Sequence, residues 1–313
     1  MPELVKRAHV ELVFLRFLRS EHRGNLEPKA RKSRGWAIDL ERVDHIKRSF
    51  ELNMHMQPTP SPYRTSGCSS DGFTHTGGVD FAFTFAFQPI VDAATREIIS
   101  FEALVRGPGG ESSDDVFSWV PRENLYHFDQ ACRLKAIHLA RRLNLNTSLN
   151  LNFFPNSVHG TGMGIRATLQ ASLEEGFPVD KLVFEVSESE LLQHHARIEG
   201  IFEGCEDSGF LTAIDDFGAG YSGLRMLADY QPNFIKLDRD LVSDIHENHV
   251  KQIIVRGMRG ICRQLSIETI AEGVEKAEEY HWLRKAGIHL FQGFYFARPA
   301  FESLAEVPLA VYN

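Results

Sequence analysis

The sequence predicts an α/β protein whose main part is a closed (β/α)8 barrel of the TIM type, preceded by a short N-terminal extension. Two observations favour this class. Eight apolar, strand-like runs alternate with helix-like stretches between residues 80 and 313, which is typical of parallel β/α units. A polar residue also recurs late in almost every strand-like run, where the strands of such a barrel converge on one mouth.

The strand-like runs leave room for a helix between most neighbouring pairs. In chain order they cover residues 81–92, 98–106, 148–154, 182–188, 211–217, 234–238, 268–274 and 290–296. Helices are predicted over residues 128–143, 164–176, 194–209, 222–230, 249–266 and 277–287. Several of these stretches end in a glycine, as a helix C-cap should. Eight strands within ~230 residues favour a closed barrel over an open sheet.

Residues 1–79 are predicted to be an N-terminal extension and linker, separate from the barrel domain at residues 80–313. The first 50 residues are rich in Arg, Lys and His, and two stretches within them could each form a helix. Residues 53–79 are rich in Pro, Ser, Thr and Gly, which is typical of a linker or a disordered segment. We interpret the first 50 residues as a poorly ordered extension. A short regulatory or dimerising helical arm is the alternative.

Composition restricts the partners and the compartment. The net charge is -8 and the pI is about 6.0, which argues against binding to a nucleic-acid polymer, since that needs clustered Lys and Arg. No apolar run approaches the ~20 residues of a membrane span. The four cysteines are scattered without a Cys-x-x-Cys pair, which is typical of reduced thiols. These features predict a cytoplasmic protein.

The polar residues late in the strand-like runs are the candidate site. They are Glu102, Asn152, Glu185, Asp215, Asp216, Lys236 and Glu272. Each one alone has an ordinary explanation, since acids after strands often cap helices and a lysine can extend its amine to solvent. At corresponding strand ends, however, they should point into one cavity. Carboxylate and amide oxygens without a His/Cys cluster indicate hard divalent cations rather than structural zinc.

Two adjacent aspartates at the end of an apolar run need an explanation. Asp215 and Asp216 repel each other, and burying them unpaired is costly, so either a cation lies between them or they form a solvated turn. Two such aspartates can serve two ions, an arrangement that activates water and supports in-line displacement at phosphorus. Lys236 would then steady the water or the phosphate, with a pKa lowered by burial and by the two cations.

Seven motifs, in order, carry a family resemblance. They are "FEALVRG", "NFFPNSV", "FEVSE", "DDFGAGYSGL", "IKLD", "AEGVE" and "FQGFYFARP". Together they resemble the EAL-domain family, over roughly residues 83–305. Members of that family are cyclic di-GMP phosphodiesterases. The resemblance implies a modified barrel with one early antiparallel strand, and two Mg²⁺ or Mn²⁺ ions that assist water in opening cyclic di-GMP to linear pGpG.

The resemblance also implies a role for each site residue. The first metal would be held by Glu102, Asn152, Glu185 and Asp215. The second would be held by Asp215, Asp216 and Glu272. The catalytic residues would be Lys236, which orients or deprotonates the attacking water, together with Glu272, Glu102 and Asp215. The substrate contacts would be Arg106 at a phosphate or base, Leu104 at an apolar surface and Gln292 at water or substrate.

The motif after Asp215 resembles the family loop that links the metal site to a dimer interface. Glu188 matches the glutamate that holds this loop, so the resemblance implies a homodimer formed through the barrel. The family commonly has Thr at the position of Ala219, and the lost hydroxyl predicts a difference in loop ordering rather than loss of catalysis. Many members also have a small polar residue in place of Phe154.

Two other functions stay open on the sequence. The chain would be a receptor if it bound cyclic di-GMP without hydrolysis and signalled through a partner protein. It would be an unrelated barrel metallo-phosphoesterase if it acted on another nucleotide. Because every metal and water position of the family is filled in this sequence, an active phosphodiesterase is the favoured interpretation.

Overall fold

Strand β1 (Thr84–Asp92) closes the barrel and is its one antiparallel strand. It pairs antiparallel with β2 (Glu97–Arg106) on one side and with β8 (Leu290–Phe291) on the other. All pairings from β2 through β8 are parallel, in chain order, so the eight strands form a closed ring. The predicted modified (β/α)8 barrel is therefore confirmed.

The structure, a computed structural model, describes residues 79, 81–154, 161–193, 195–220 and 223–313, of which residues 161–163, 192–193 and 195–199 are described by backbone only. The predicted extension and linker lie outside the described residues, except for Val79. The remaining strands are β3 (Ser148–Asn152), β4 (Leu182–Ser187), β5 (Leu211–Phe217), β6 (Phe234–Leu237), β7 (Glu268–Ala271) and β9 (Ala300–Phe301).

Nine α-helices lie in the described part of the chain. They are α1 (Ser113–Trp119), α2 (Leu125–Arg142), α3 (Thr161–Glu175), α4 (Glu188–Gln193), α5 (His195–Ser208), α6 (Gly223–Asp229), α7 (Arg239–Val242), α8 (His249–Leu265) and α9 (Ala277–Lys285). Six of them overlap the six predicted helices. The short helices α1, α4 and α7 were not predicted, because three or fewer turns give little periodicity to detect.

The strand register places the predicted site residues at one level of the barrel. Glu102 lies opposite Gln88 on β1 and opposite Asn150 on β3. Asn152 pairs with Glu185, one strand further round the ring. The carboxyl ends of the parallel strands therefore bring residues that are distant in sequence to the same mouth.

The core lies between the barrel and its surrounding helices. Cys132 on α2, Cys205 on α5 and Cys262 on α8 are all buried and free, and Cys68 lies outside the described residues. No helix among the described residues is both long and apolar enough to cross a membrane. Burial of the apolar faces of the helices holds them against the strands that carry the site.

The predicted last strand is shorter in the structure than in the sequence. Strand β8 ends at Phe291, whereas the apolar pattern continues to Phe296. The reason is a close backbone approach, because a Cβ added to Gly293 would clash with the backbone of Val274. The next segment folds into a turn, in which the amide of Tyr295 donates to the carbonyl oxygen of Val274 at 3.0 Å. Strand β9, which was not predicted, then pairs with β1.

Candidate metal centre at the barrel mouth

Lys236 is the centre of the site. Its side chain is fully buried on β6, and its Nζ contacts carboxylates from four other strands or strand ends. The distances are 3.0 Å to Glu102 Oε2, 3.3 Å to Glu185 Oε2, 3.0 Å to Asp215 Oδ1 and 3.4 Å to Glu272 Oε2. The structure therefore gathers four of the sequence-predicted acids around the ammonium group of a fifth predicted residue, Lys236.

These charges do not balance. Four carboxylates surround one ammonium, and Asp216 adds a fifth acid beside Asp215. Burial raises the pKa of Glu185 and of Glu272 well above the usual value, although the ammonium of Lys236 opposes that change. Burial and then Asp215 raise the pKa of Asp216 to about 6. The site therefore requires protons or additional cations.

The pKa values of Lys236 and of Asp215 each shift in the direction opposite to the one that burial favours. Burial disfavours the ammonium of Lys236, but the surrounding carboxylates outweigh burial and raise its pKa well above the usual value. Burial also disfavours the carboxylate of Asp215, yet the charge of Lys236 and the hydrogen bonds to the carboxylate together outweigh burial and lower the pKa of Asp215. The sequence predicted a lowered pKa for Lys236, an expectation that included two cations. In the site without cations the direction is the reverse.

Two triads of carboxylates could each hold a cation. Glu102, Glu185 and Asp215 offer oxygens that all lie within 4.8 Å of one another, and so do Asp215, Asp216 and Glu272. Asp215 Oδ1 and Glu272 Oε2 are buried and lie near Lys236 Nζ, but neither accepts a hydrogen bond of good geometry from any described residue. Oxygen donors, uncompensated charge and unsatisfied oxygens fit hard divalent cations.

The backbone of β5 is irregular at the two aspartates, which both lie within this strand. The backbone of Asp216 has a φ of 53°, in the left-handed region that side chains other than glycine rarely adopt. The pairing of β5 with β6 shifts register between Ile214 and Phe217, on either side of the two acids. This irregularity allows the carboxylates of Asp215 and Asp216 to join one triad instead of pointing to opposite faces of the sheet.

The remaining predicted residues border the carboxylates. Asn152 is exposed at the end of β3 and donates through Nδ2 to Glu102 Oε1 at 3.2 Å, so ligation of a cation would need its Oδ1 to turn inward. Gln292 is buried and donates to Glu102 Oε2 at 2.7 Å. Leu104 and Arg106 are half-buried and share with Glu102 one face of β2. Each predicted side chain therefore lies at or beside the mouth.

Glu188 supports the loop that follows the paired aspartates. Its side chain is 1% exposed, and its Oε2 accepts from the amides of Gly218 at 2.8 Å and Gly220 at 3.2 Å. Gly218 has a φ of 100°, and a side chain there would clash with Leu241. Glu188 therefore positions the backbone immediately after Asp216.

Three buried polar residues that border the site, Gln88, Ser100 and Asn150, were not predicted. Asn150 donates to Glu185 Oε1 at 2.6 Å and accepts from Ser100 Oγ. Asn150 and Ser100 therefore hold the carboxylate of Glu185 in place. Gln88 accepts from Gln292 Nε2 at 3.3 Å. The signal that could have found Asn150 and Gln88 is an amide within an apolar strand, because a buried amide needs hydrogen-bond partners.

A third group of possible ligands, Asp244, His246 and Glu279, has a structural explanation. Glu279 accepts from the backbone amides of Asp244, Glu275 and Lys276, and Asp244 forms an ion pair with Lys276. These bonds cap α9 and join it to the loop after α7. Since the carboxylates are already satisfied, we assign no cation to this group.

Comparison with known proteins places the chain in a family. The EAL domain family model matches residues 80–299. The chain therefore belongs to the EAL domain family, and the resemblance predicted from the motifs is confirmed.

Two solved structures share the fold. One is a standalone EAL protein from Vibrio cholerae O395 in a c-di-GMP bound form, with 46% identity and a TM-score of 0.72, covering 75% of this chain and 100% of that chain. The other is BlrP1 from Klebsiella pneumoniae in a manganese and cyclic diGMP complex, with 34% identity and a TM-score of 0.70, covering 85% of this chain and 68% of that chain.

The curated relatives of this chain include proteins from Escherichia coli K12. The blue light- and temperature-regulated antirepressor BluF is 30% identical over 226 residues, and the cyclic di-GMP phosphodiesterase PdeR is 34% identical over 213 residues. The matches cover 71% and 65% of this chain but only 56% and 32% of the relatives. The chain thus spans between about a third and just over half of the relatives' length.

Proposed function

We propose that this chain hydrolyses one phosphodiester bond of cyclic di-GMP to give linear pGpG, with two Mg²⁺ or Mn²⁺ ions at the barrel mouth. The observation that carries the proposal is the pair of carboxylate triads that share Asp215 beside the buried Lys236. The name of PdeR and the manganese complex of BlrP1 support it. Three buried free cysteines support a cytoplasmic enzyme.

The two ions, when bound, would activate water and neutralise charge at phosphorus. In this proposal Asp215 is the shared ligand. The first ion would be held by Glu102, Asn152, Glu185 and Asp215, and the second by Asp215, Asp216 and Glu272. The protein then contributes fixed oxygen donors whose mutual repulsion is relieved by the cations, so binding and catalysis use the same residues.

Lys236 and Arg106 are the positively charged side chains to which we assign roles in the proposed reaction. The raised pKa of Lys236 keeps it an ammonium in the site without cations, where it donates to Glu102 and Glu185. We propose that it orients the attacking water, and that it accepts a proton only when cations offset the carboxylates. Arg106, which donates to Val105 O and Ser113 Oγ, would turn its free guanidinium nitrogen toward a substrate phosphate or base.

A receptor that binds cyclic di-GMP without hydrolysis is the second candidate. The name of BluF, an antirepressor, favours it, because that relative is described by regulation rather than catalysis. A receptor has no need for five acids at the mouth, however, since burying them costs free energy unless cations are bound. All five acids are present here, which favours the enzyme.

The proposal is tested by incubating the purified chain with cyclic di-GMP and either Mg²⁺ or Mn²⁺, followed by chromatography of the products. We expect pGpG to accumulate with added ions and to stop when EDTA is added. Tight binding of cyclic di-GMP without turnover at any ion concentration would instead establish the receptor. Turnover of other cyclic nucleotides but not cyclic di-GMP would show an unrelated phosphoesterase.

We also propose that the chain forms a homodimer through α8. The exposed face of this helix, the α8 stripe, is apolar; it consists of Val250, Ile253, Ile254, Ile261 and Leu265. Gly257 lies within the stripe with open space around it, so another helix can approach closely. The buried face of the same helix places Met258 beside Gly218, next to the loop that Glu188 holds. A second copy suits this surface because a two-fold axis pairs like faces.

Ile253→Glu is expected to weaken self-association by about tenfold or more, because it buries a charge in the apolar interface. Sedimentation velocity over a concentration series measures the dimer dissociation constant. Arg263→Glu, on the same helix but off the stripe, is the matched control and should leave the dimer intact. Equal self-association of Ile253→Glu and the wild type would rule out the α8 stripe as the interface.

A further inference from the structure

We infer that Gln88 is a positioning residue for the proposed hydrolysis: its side-chain amide fixes the orientation of Gln292 and thereby presents the Gln292 carbonyl oxygen to the reacting groups. This inference rests on the proposed function. It concerns a residue on β1, the antiparallel strand, that is absent from the two carboxylate triads.

The two glutamines form a directed chain of hydrogen bonds. Gln88 Nε2 donates to the carbonyl oxygen of Ala297 at 3.2 Å, which leaves Gln88 Oε1 as the acceptor. Gln292 Nε2 donates to that oxygen at 3.3 Å and to Glu102 Oε2 at 2.7 Å. An amide nitrogen has two hydrogens, so both hydrogens of Gln292 are used.

The consequence is an oxygen with a fixed direction. Gln292 is only 1% exposed, and its Oε1 is buried with no hydrogen-bond partner among the residues that the structure describes. A buried acceptor left unsatisfied costs free energy, and it suggests a partner that is bound during function. Water or the substrate is that partner under the proposed function, because Gln292 Nε2 and Lys236 Nζ both donate to one oxygen of the site, Glu102 Oε2.

Glu102 alone does not fix this geometry. A single bond from Gln292 Nε2 to Glu102 leaves the amide free to rotate about that bond, so Oε1 would take several directions. The second bond, to Gln88, removes the rotation. The antiparallel register supports this role, since Gln88 lies opposite Glu102 in the β1–β2 pairing and is itself 7% exposed.

A double-mutant cycle tests whether Gln88 acts through Gln292. Gln88→Met and Gln292→Met keep the length of the side chain but remove its hydrogen bonds. Because the hydrogen bond between Gln292 and Gln88 is lost, we expect Gln88→Met to lower kcat/KM by about tenfold. We expect a larger loss, on the order of 100-fold, for Gln292→Met, because it removes the presented oxygen itself. The double variant should equal Gln292→Met within about threefold.

The control variant is Thr84→Val. Thr84 lies on β1, as Gln88 does, and the substitution removes its hydrogen bond of 2.6 Å to Glu302. Its kcat/KM should stay near that of the wild type, and thermal unfolding of every variant shows whether β1 is intact. If the double variant loses the product of the two single losses, Gln88 does not act through Gln292. A Gln88→Met rate within twofold of the Thr84→Val rate would also overturn the inference.

Failure of the proposed function is distinguished by the wild type. If the wild type gives no turnover with either ion, the proposed hydrolysis is rejected, and the same cycle is measured from the Mn²⁺ dissociation constant. Because Gln292 donates to Glu102, the inference then predicts non-additive changes in Mn²⁺ affinity. Additive changes would overturn it.

Discussion

Asp215→Asn is expected to lower kcat/KM for cyclic di-GMP by on the order of 1,000-fold, the largest loss we predict for a substitution that preserves shape. Asp215 belongs to both carboxylate triads, so one change removes a negative charge from both proposed cation sites. A contribution of several kcal/mol is typical of metal ions in catalysis, and each 1.36 kcal/mol corresponds to about tenfold in rate.

Steady-state hydrolysis with saturating Mn²⁺ measures this effect. Asp240→Asn is the matched control, because it makes the same chemical change at an exposed aspartate in the first turn of α7, outside both triads. We expect the control to keep the wild-type rate. If Asp215→Asn loses less than tenfold, a shared ligand at this position is wrong.

Lys236→Met is expected to abolish activity and also to destabilise the protein without metal at neutral pH. Lys236 is the cation that pairs with Glu102, Glu185, Asp215 and Glu272 in the described part of the chain. Removing one partner of a buried ion pair typically costs about 3–5 kcal/mol. Uptake of protons by the carboxylates will offset part of this loss in the free energy of unfolding. Binding of Mn²⁺ among the carboxylates should offset a further part.

The loss should depend on pH with a definite sign. Burial raises the pKa of Glu185 and Glu272, and Lys236 opposes that change, so the substitution raises both values further. A carboxyl whose pKa is raised in the folded state is stabilising below its unfolded pKa of about 4.3 and loses that stabilisation as pH rises through the folded value. Lys236→Met should therefore be less destabilising at pH 5 than at pH 8.

Urea unfolding in EDTA and in Mn²⁺, at pH 5 and pH 8, measures these changes in the free energy of unfolding. The wild type under the same four conditions is the reference, since its own carboxylates also titrate. An equal loss at both pH values, with no response to Mn²⁺, would show that the carboxylates do not depend on the charge of Lys236.

The positions of the acids could be predicted from the sequence because each one interrupts an apolar run late in a strand. Glu102, Glu185 and Asp215 follow this rule, and the parallel topology brings them together. Their ionisation could not be predicted in the same way. The raised pKa of Lys236 depends on four carboxylates at 3.0–3.4 Å, and such distances appear only when the barrel closes.

The amides behind the carboxylates were not predicted, for a physical reason. Gln88 and Asn150 are single uncharged side chains in apolar strands, and their partners are far away in the chain, 204 residues for Gln88 and Gln292. Strand β9 was missed because two residues carry no periodic pattern. The short β8 depends on the contact of Gly293 with Val274, which the apolar pattern of residues 290–296 does not report.

The central claim is that oxygen donors from separate strand ends hold two divalent cations. Anomalous diffraction at the manganese absorption edge, from crystals grown with Mn²⁺ and cyclic di-GMP, tests it most directly. We predict two anomalous peaks, one among Glu102, Glu185 and Asp215 and one among Asp215, Asp216 and Glu272. Ordered carboxylates that still surround Lys236, with no anomalous peak among them, would contradict the account.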